Sequence, residues 1–505
     1  MKHNATQALS WLHTWSGLLV GWLLFVIFAG GTIACFDKEL DYWMQPSLHG
    51  RALPQTPSFD KAVEHLQKKA PDAHSWYLLV GDRDPALQAY TFMDDGTETR
   101  VALDPVTGEV LPSTAGGDFF FELHYNLHAG NLGMYIVGLA GMLAFAAIIA
   151  GILIHKRIFK DFFTFRPAAG KQRAWLDAHN LTGVLGLPFH LLISYTGVII
   201  FATSYMFAGV NAGYGGDINK LYTEAGDFYE REEVGKPLGK MTSTDALLDR
   251  ARAELGTPIT WASIHHPHDA SATIALGGDH SRHVAWNFHQ ATYDAADGRL
   301  LHVTKPPAAG YHTYEFLGGL HMVQFGGSLV RWLYFVLGLA GCVMIASGMQ
   351  VWVRKREKRV REAGAVSGYG LVRALNVGVV AGFPFAATAM LLANRLLPWS
   401  LADRASAEIL VFCLAWFGAT VWGAWADRND RGWRDLFAAT AAAFTLVPIV
   451  NAVTTPNSAL WSTLRTGDLA LAAVDLTCIV FAISYAWMAR RAARTAPMRV
   501  EEAFA

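Results

Sequence analysis

Long apolar stretches alternate with polar segments along this chain of 505 residues and define its outline. About 20 consecutive apolar residues are enough for a helix to cross a bilayer. Stretches of that kind occur at residues 11–36, 124–154, 175–203, 321–353, 371–397, 406–425, 435–455 and 468–489. The pattern therefore predicts a mainly α, polytopic membrane bundle of about eight spans, with the lipid bilayer as its surroundings.

The polar segments between the first four spans have a different pattern. Residues 37–120 and 204–312 each begin with a helix-like stretch and continue with alternating, strand-like residues. Each ends at a similar turn, Asp104-Pro-Val-Thr-Gly and Asp294-Ala-Ala-Asp-Gly, which leads into a short strand. We expect two small α+β domains inserted between the spans.

The first 355 residues thus form two copies of the order span, inserted domain, span. The second span of each copy contains the tetrapeptide Gly-Leu-Ala-Gly, at 138–141 and at 338–341. The boundaries that we predict are 1–36 for the first span, 37–120 for the first inserted domain, 121–203 for spans two and three, 204–312 for the second inserted domain, 313–358 for span four, and 371–491 for a C-terminal bundle of four spans.

Charge gives the orientation and excludes one class of partner. The formal net charge is −1, which is not the charge of a nucleic-acid binder. Lysine and arginine are concentrated in the short stretches 156–173, 354–361 and 490–494. Short basic loops remain in the cytoplasm, so both termini are predicted to be cytoplasmic. The inserted domains then lie outside, in the periplasm if this is the inner membrane of a Gram-negative bacterium.

Four histidines occupy matching places on the first four spans. His13 and His179 open spans one and three in the pattern His-x-x-x-Gly, and His128 and His321 open spans two and four after Glu-x-x-x-x-Leu. An imidazole in the hydrocarbon usually faces a partner inside the bundle. With the topology above, His13 and His179 lie near the cytoplasmic face, and the other two lie near the outer face. Two such pairs are what two bis-histidine haems require.

Neighbouring histidines leave the ligand pairing open. His124 lies one turn before His128 and could replace it or bond a haem propionate. His190 follows His179 by eleven residues, almost a whole number of turns. It could be a ligand in a shifted pairing, a propionate partner or a proton carrier. A hydrogen-bonded structural histidine is the alternative in every case.

Two further groups of residues invite a functional and a structural interpretation. His265, His266 and His268 of the second inserted domain could bind a metal, because alternate residues of a strand face one side; they could also be exposed polar residues of a sheet. Asp475 lies inside the last span, where an ionisable side chain indicates function unless it is paired with a neighbour.

Motifs of other cofactors do not occur in the sequence. It contains no Gly-rich dinucleotide fingerprint, no Walker loop and no Cys-x-x-Cys-His. Any haem would therefore be haem b, held without covalent attachment. The electrons would come from a membrane quinol, a soluble reductant or a separate flavoprotein.

The paired His-x-x-x-Gly spans, the Leu-His openings and the Asp-x-x-x-Gly turns resemble the PepSY-associated transmembrane helix family over roughly residues 5–358. The resemblance implies that the inserted domains are PepSY-like and periplasmic. It further implies a diheme reductase that delivers electrons to a ferric siderophore or a similar ferric chelate and so releases iron. The four histidines of the preceding pairs occupy the family's histidine positions. Four additional spans, His155 and His190 depart from the family pattern.

Two other functions compete with the reductase. PepSY-like domains resemble propeptide inhibitors of proteases, so the protein could be a non-enzymatic module that restrains a periplasmic peptidase. It could also be a permease that moves the iron chelate inward. A permease needs polar groups at mid-membrane, and the C-terminal bundle offers Asn376, Asn451 and Asp475.

Overall fold

The computed structural model describes residues 3–54, 58–81, 83–155, 166, 170–205, 207–279, 281, 283–286, 289–363, 368–427 and 431–495. Most of the basic stretch predicted at 156–173 lies outside these residues. The chain forms two compact units. The first contains residues 1–46, 114–195 and 332–505, and the second contains 47–113 and 196–331.

Helices account for most of the described chain. In chain order they are α1 (His3–Leu19), α2 (Gly21–Ala34), α3 (Asp37–Trp43), α4 (Phe59–Lys69), α5 (Asp118–Tyr125), α6 (Gly130–Ile154), α7 (Lys171–Leu185), α8 (Leu187–Ile200), α9 (Ala202–Tyr205), α10 (Phe207–Tyr214), α11 (Ile218–Gly226), α12 (Leu248–Leu255), α13 (Ala309–Met322), α14 (Gly327–Ala363), α15 (Tyr369–Asn376), α16 (Gly382–Leu396), α17 (Arg404–Asp427), α18 (Gly432–Thr454), α19 (Leu460–Thr466) and α20 (Leu469–Thr495). A short π-helix, Val377–Ala381, joins α15 to α16.

Six of the spans predicted from the sequence are long apolar helices: α6, α14, the run from α15 to α16, α17, α18 and α20. The other two, predicted at 11–36 and 175–203, are bent pairs. α1 and α2 meet at 64°, and α7 and α8 meet at 69°. The breaks fall at Val20 and Gly186, each seven residues after the histidine of its span. Pro188, which lacks a backbone N–H, explains the second break; the first has no proline.

The spans predicted to open at residues 124 and 321 begin later than expected. α5 ends at Tyr125, the backbone turns through positive φ at Leu127 and His128, and α6 begins only at Gly130. In the second copy α13 ends at Met322, and α14 begins at Gly327. A short separate helix therefore precedes each long span, and His128 lies in the link between them.

The strands of the second unit form one antiparallel sheet. They are β1 (Ser75–Leu79), β2 (Leu87–Phe92), β3 (Glu98–Leu103), β4 (Ile259–His265), β5 (Thr273–Gly278), β6 (Gln290–Asp294) and β7 (Leu300–Val303). Their order is β3-β2-β1-β4-β5-β6-β7. Two separate inserted domains were expected, but pairing of β1 with β4 joins the two segments into seven strands. Their neighbouring edge strands would otherwise expose unpaired backbone groups.

The shared sheet also fixes the number of membrane crossings between its two halves. Because β1 pairs with β4, the two inserted segments lie on the same side of the membrane. The chain between them must then cross an even number of times. α6 is long and apolar enough to provide one crossing, and the bent pair α7 and α8 is together long and apolar enough to provide the other.

Two helices cover one face of the sheet and cap each other. Phe59 and Leu66 of α4 pack with Ala251 of α12 in the buried core over the strands. Asp245 accepts the backbone N–H of Phe59 at 2.8 Å, and Asp60 accepts that of Thr244 at 2.7 Å. Each copy thus supplies the carboxylate that satisfies the first helical turn of the other.

The two predicted turns form as expected. The Asp104 carboxylate accepts the backbone N–H of Val106 at 2.8 Å, and that of Asp294 accepts the N–H of Ala296 at 2.9 Å. Burial alone would raise the pKa of Asp104, but the Arg51 guanidinium and the turn N–H groups lower it below its usual range.

Candidate functional site: a set of histidines seated on glycines

The inner pair of histidines predicted from the sequence is close in space. The ring centroids of His13 and His179 lie 6.1 Å apart, with their planes at 73°. Two imidazoles on opposite sides of one metal ion, with bonds of about 2 Å, place their centroids about 6 Å apart. The spacing therefore suits two imidazoles that would hold one metal ion between them.

Hydrogen bonds fix the tautomer of both inner rings. Nδ1 of His13 lies 2.8 Å from the Ala147 carbonyl oxygen of α6, and Nδ1 of His179 lies 2.8 Å from the Met344 carbonyl oxygen of α14. A carbonyl can only accept, so Nδ1 carries the proton in each ring. Nε2 then keeps the lone pair that a metal requires.

Each inner ring lies against a glycine one turn after that carbonyl. A Cβ placed on Gly151 would stand 3.2 Å from the His13 ring, and one placed on Gly348 would stand 3.0 Å from the His179 ring. The absence of a side chain lets the imidazole lie on the helix backbone. The two copies therefore hold their inner histidines in the same way. His13 lies against the backbone of α6, and His179 lies against that of α14.

His124 has the same surroundings on the other side of the first copy. It is the penultimate residue of α5, and its Nδ1 lies 2.8 Å from the Ile27 carbonyl oxygen of α2. A Cβ on Gly31 would stand 2.7 Å from its ring. His124 thus has both properties of the inner histidines, the bonded Nδ1 and the glycine seat.

His321 repeats this arrangement in the second copy. It is the penultimate residue of α13, and its Nδ1 pairs with the Thr196 hydroxyl at 3.0 Å. A Cβ on Gly197 would stand 2.8 Å from its ring. By helix position, ring contact and glycine seat, the counterpart of His321 in the first copy is His124.

The sequence contained a signal for this correspondence. Gly31 follows His13 by 18 residues, as Gly197 follows His179. Gly151 follows His124 by 27 residues, and Gly348 follows His321 by the same number. Alignment on the Gly-Leu-Ala-Gly tetrapeptide, which is out of register by three residues, concealed the match.

His128, the residue predicted for this position, has different surroundings. Its Nε2 lies 2.8 Å from the Phe119 carbonyl oxygen and its Nδ1 lies 3.0 Å from the Glu122 carboxylate. The ring also stacks on Phe119, with centroids 4.7 Å apart. Both ring nitrogens of His128 therefore face oxygen atoms of its own segment, unlike those of the inner histidines.

His190 is completely buried inside the first unit. Its ring packs at right angles to Phe28, and a Cβ on Gly341 would stand 3.3 Å from its Nε2. Among the described residues neither ring nitrogen makes a hydrogen bond of normal geometry, and the Leu337 carbonyl is its polar neighbour. A buried polar group without a good partner is costly, so this position is suited to an interaction with a bound group.

His265, His266 and His268 do not lie on one strand, contrary to the expectation from the sequence. β4 ends at His265, and His266 has a φ of 50° ahead of Pro267. His266 pairs with the Glu233 carboxylate at 2.9 Å, whereas His265 pairs with the Ser263 hydroxyl at 3.1 Å. No cluster of three or more metal-ligating side chains is found among the described residues.

The polar residues of the C-terminal bundle have hydrogen-bond partners within the bundle and in the first helices of the chain. Asn451 donates to the Asp475 carboxylate at 3.1 Å, and Trp43 donates to it at 3.3 Å. Asn376 accepts from Trp22 at 2.9 Å. Asp475 therefore has the paired environment that was the structural interpretation of this residue.

The comparisons with known proteins agree with this repeated membrane architecture. The family described as PepSY-associated TM region matches residues 10–355. An uncharacterized protein of Pseudomonas aeruginosa is 28% identical over 402 residues, which cover 74% of this chain and 95% of that protein. The resemblance drawn from the sequence motifs is confirmed: this chain belongs to the PepSY-associated transmembrane family.

Proposed function

We propose that this protein is a diheme b-type electron carrier of a bacterial inner membrane that reduces a ferric siderophore or a similar ferric chelate at the outer face. The observation that carries the proposal is the fourfold recurrence of one arrangement. His13, His124, His179 and His321 each have a bonded Nδ1 and a glycine beneath the ring. The recurrence of both features at matching spacings in the two copies is what supports a shared ligand role for the four histidines.

The residues fit haem ligation better than they fit another metal group. Neutral imidazoles whose Nδ1 is held by a hydrogen bond are suitable ligands for haem iron. The glycine seats let each imidazole lie against a neighbouring helix backbone, which fixes the direction of its Nε2. Haem b held in this way would supply reversible one-electron transfer, with no open position at iron for substrate.

We assign the inner ligands to His13 and His179. His124 takes the place of His128 as the outer ligand of the first copy, and His321 is the outer ligand of the second copy. His128 is then a structural residue, which ties the end of α5 to the link before α6 through Phe119 and Glu122. His190 lies deeper in the membrane than the inner pair. We assign it a polar contact with the bound group rather than a bond to its iron.

The chain's own residues would determine the path and the direction of the electron. The two inner histidines lie before the breaks of the bent spans, and the two outer ones end the short helices that precede the long spans. Reduction lowers the charge of ferric iron and weakens its bonds to hard oxygen ligands, so the chelate releases it. A quinol or a separate flavoprotein would supply the electrons.

The first test is a dithionite-reduced minus oxidised spectrum of the detergent-purified protein, with haem measured per chain. We expect two haems b per chain, and one in His13→Ala. Two haems in His128→Ala provide the matched control. The purified protein in vesicles should then form ferrous iron from a ferric chelate, measured with a chromogenic ferrous chelator.

A colourless protein, expressed with ample haem, would contradict the proposal. Inhibition of a co-expressed periplasmic peptidase would then favour peptidase control, and accumulation of intact chelate inside vesicles would favour a permease.

A further inference from the structure

The family match ends at residue 355, yet the bundle formed by α15–α20 packs against the region that carries His124. We propose that this C-terminal bundle, through Glu408 and Phe412 of α17, positions α5 and thereby the imidazole of His124. The inference rests on the proposed function only for the role of His124 as a ligand. Glu408 and Phe412 are therefore positioning residues, because they contact α5 and the residues before it rather than His124 itself.

Glu408 holds the backbone immediately before α5. Its carboxylate accepts the Thr114 hydroxyl at 2.7 Å and the Ala115 backbone N–H at 2.8 Å. Glu408 is completely buried and forms an ion pair with Arg404 at 2.8 Å, also with no exposure to solvent. A buried charge with this many partners has little freedom to move, so the two residues it holds are fixed with it.

Phe412 lies one turn further along α17 and contacts α5 itself. Its ring centroid lies 4.8 Å from that of Phe119 and 6.4 Å from that of Phe120, both edge to face. Phe119 and Phe120 belong to the first turn of α5, and His124 follows Phe120 by one turn on the same side of the helix. Rotation of α5 would therefore change the aromatic contacts and the position of the His124 ring together.

The same bundle also holds the end of α3, which packs against α5. Asn394 of α16 donates to the Glu408 carboxylate at 2.9 Å and to the Met44 carbonyl at 3.1 Å. Arg395 donates to the Trp43 carbonyl and lies 3.6 Å above the Trp43 ring. The end of α3 and the start of α5 are thus joined through one buried network of α16 and α17.

This network consists of paired charges rather than an open site. Arg404 is balanced by Glu408, and Arg395 is balanced by Asp475 through Asn451. Burial of these charged side chains costs desolvation free energy. A defined position of α5 is a reason for the chain to retain them. The bundle therefore supports the outer ligand of the first copy.

The test compares Glu408→Gln, Thr114→Val and Phe412→Leu with Thr388→Val. Thr388 of α16 is completely buried, as Glu408 is, but its hydroxyl bonds to the Pro384 carbonyl of its own helix. The first readout is amide hydrogen exchange of α5 in the full-length protein. We expect about tenfold faster exchange in residues 118–125 of the three test variants, with no change in α13 or in the control.

The second readout is a redox titration of the bound haem. We expect one of the two midpoint potentials to shift in the test variants and the other to remain, whereas Thr388→Val moves neither. Glu408→Gln leaves Arg404 unpaired, so if it fails to fold, Thr114→Val and Phe412→Leu decide.

Two results would overturn the inference. One is unchanged exchange of α5 in folded variants, and the other is faster exchange with both potentials unchanged. A parent protein without haem would refute the proposed function instead, and exchange of α5 alone would then decide whether the bundle positions that helix.

Discussion

α5 and α13 carry corresponding histidines at corresponding places, but different neighbours hold them. α5 is fixed by α17 of the C-terminal bundle, through Glu408 and Phe412. α13 is fixed within the second unit by residues 284–286, where Trp286 donates its backbone N–H to the Glu315 carbonyl at 3.0 Å. A Cβ on Gly319 would stand 1.6 Å from the Val284 carbonyl oxygen.

The two copies share the placement of the histidine but not the residues that support its helix. Spacing of 27 residues between the histidine and the glycine of the next helix is the same in both copies. The residues that hold α5 in place differ in type and in position from those that hold α13. The arrangement of histidine and glycine is therefore encoded within each copy, whereas its support is supplied by whichever part of the chain is adjacent.

The largest effect should come from removing the corresponding histidines. If the proposed diheme function holds, His124→Ala and His321→Ala should each lower the haem content from two to about one per chain, because each would lose one of its proposed ligands. His128→Ala should retain both haems. Haem per chain by the pyridine haemochrome method measures this. A full complement of haem in His124→Ala with half in His128→Ala would reverse the proposed correspondence.

A smaller effect should come from filling the glycine seats. Gly31→Ala and Gly197→Ala would place a methyl group 2.7 and 2.8 Å from the rings of His124 and His321. The imidazole must then shift, and we expect haem to be lost about tenfold more readily to an acceptor such as apomyoglobin. Gly17→Ala is the control, because nothing lies within 4 Å of its Cβ position. Equal loss from all three would show that the seats are unimportant.

Acid should weaken the junction that joins the copies. Burial, followed by the nearby charges of His266 and His74, lowers the pKa of His265 to about 4, and His265 pairs with Ser75 across β4 and β1. The unfolded chain, with an ordinary value of about 6.5, binds the proton more readily, so stability falls as the pH drops from 6.5 towards 4.

The expected loss is about 1–3 kcal/mol of the unfolding free energy, measured as the thermal midpoint in detergent at pH 7 and pH 4.5. His265→Gln should reduce this difference. An unchanged pH dependence in that variant would assign the loss to other groups.

The smallest effect should come from the reciprocal caps. Asp60→Ala and Asp245→Ala each remove the acceptor for the first turn of the other copy's helix, at a cost of about 1 kcal/mol. Because each carboxylate serves the opposite copy, the two losses should be nearly equal. Asp249→Ala, at an exposed residue, is the control. Destabilisation by only one of the two variants would show that the copies do not share the load equally.

Sequence patterns predicted the spans and the inner pair because hydrophobic length and the His-x-x-x-Gly repeat are local properties. The bends at Val20 and Gly186 were not predicted, since apolar composition alone does not report a helix direction. Choosing His128 over His124 followed from the pattern Glu-x-x-x-x-Leu-His, which His128 shares with His321, whereas Asp118 stands at the glutamate position before His124. Only the fold shows that His128 lies in a link with positive φ and that both its nitrogens face oxygens.

The single sheet was also beyond the sequence pattern. Alternation identified the strands of each segment, for example 75–80 against the observed β1. Pairing of β1 with β4 joins residues separated by two membrane crossings, and no local signal reports such a contact. The reciprocal Ser-x-Asp motifs at Ser58 and Ser243 are visible in retrospect, since each precedes the aspartate that caps the other helix.

The pairing of β1 with β4 also determines when the sheet can be completed during synthesis of the chain. β4 begins some 180 residues after β1, so at about 5–20 residues per second the ribosome needs roughly 10–40 s to deliver it. Until β4 is made, β1 has one unpaired edge and the first turn of α4 lacks its cap. An unpaired strand edge can pair with other chains during this interval. Slower synthesis of spans two and three would therefore prolong the exposure of this edge and increase the need for chaperones.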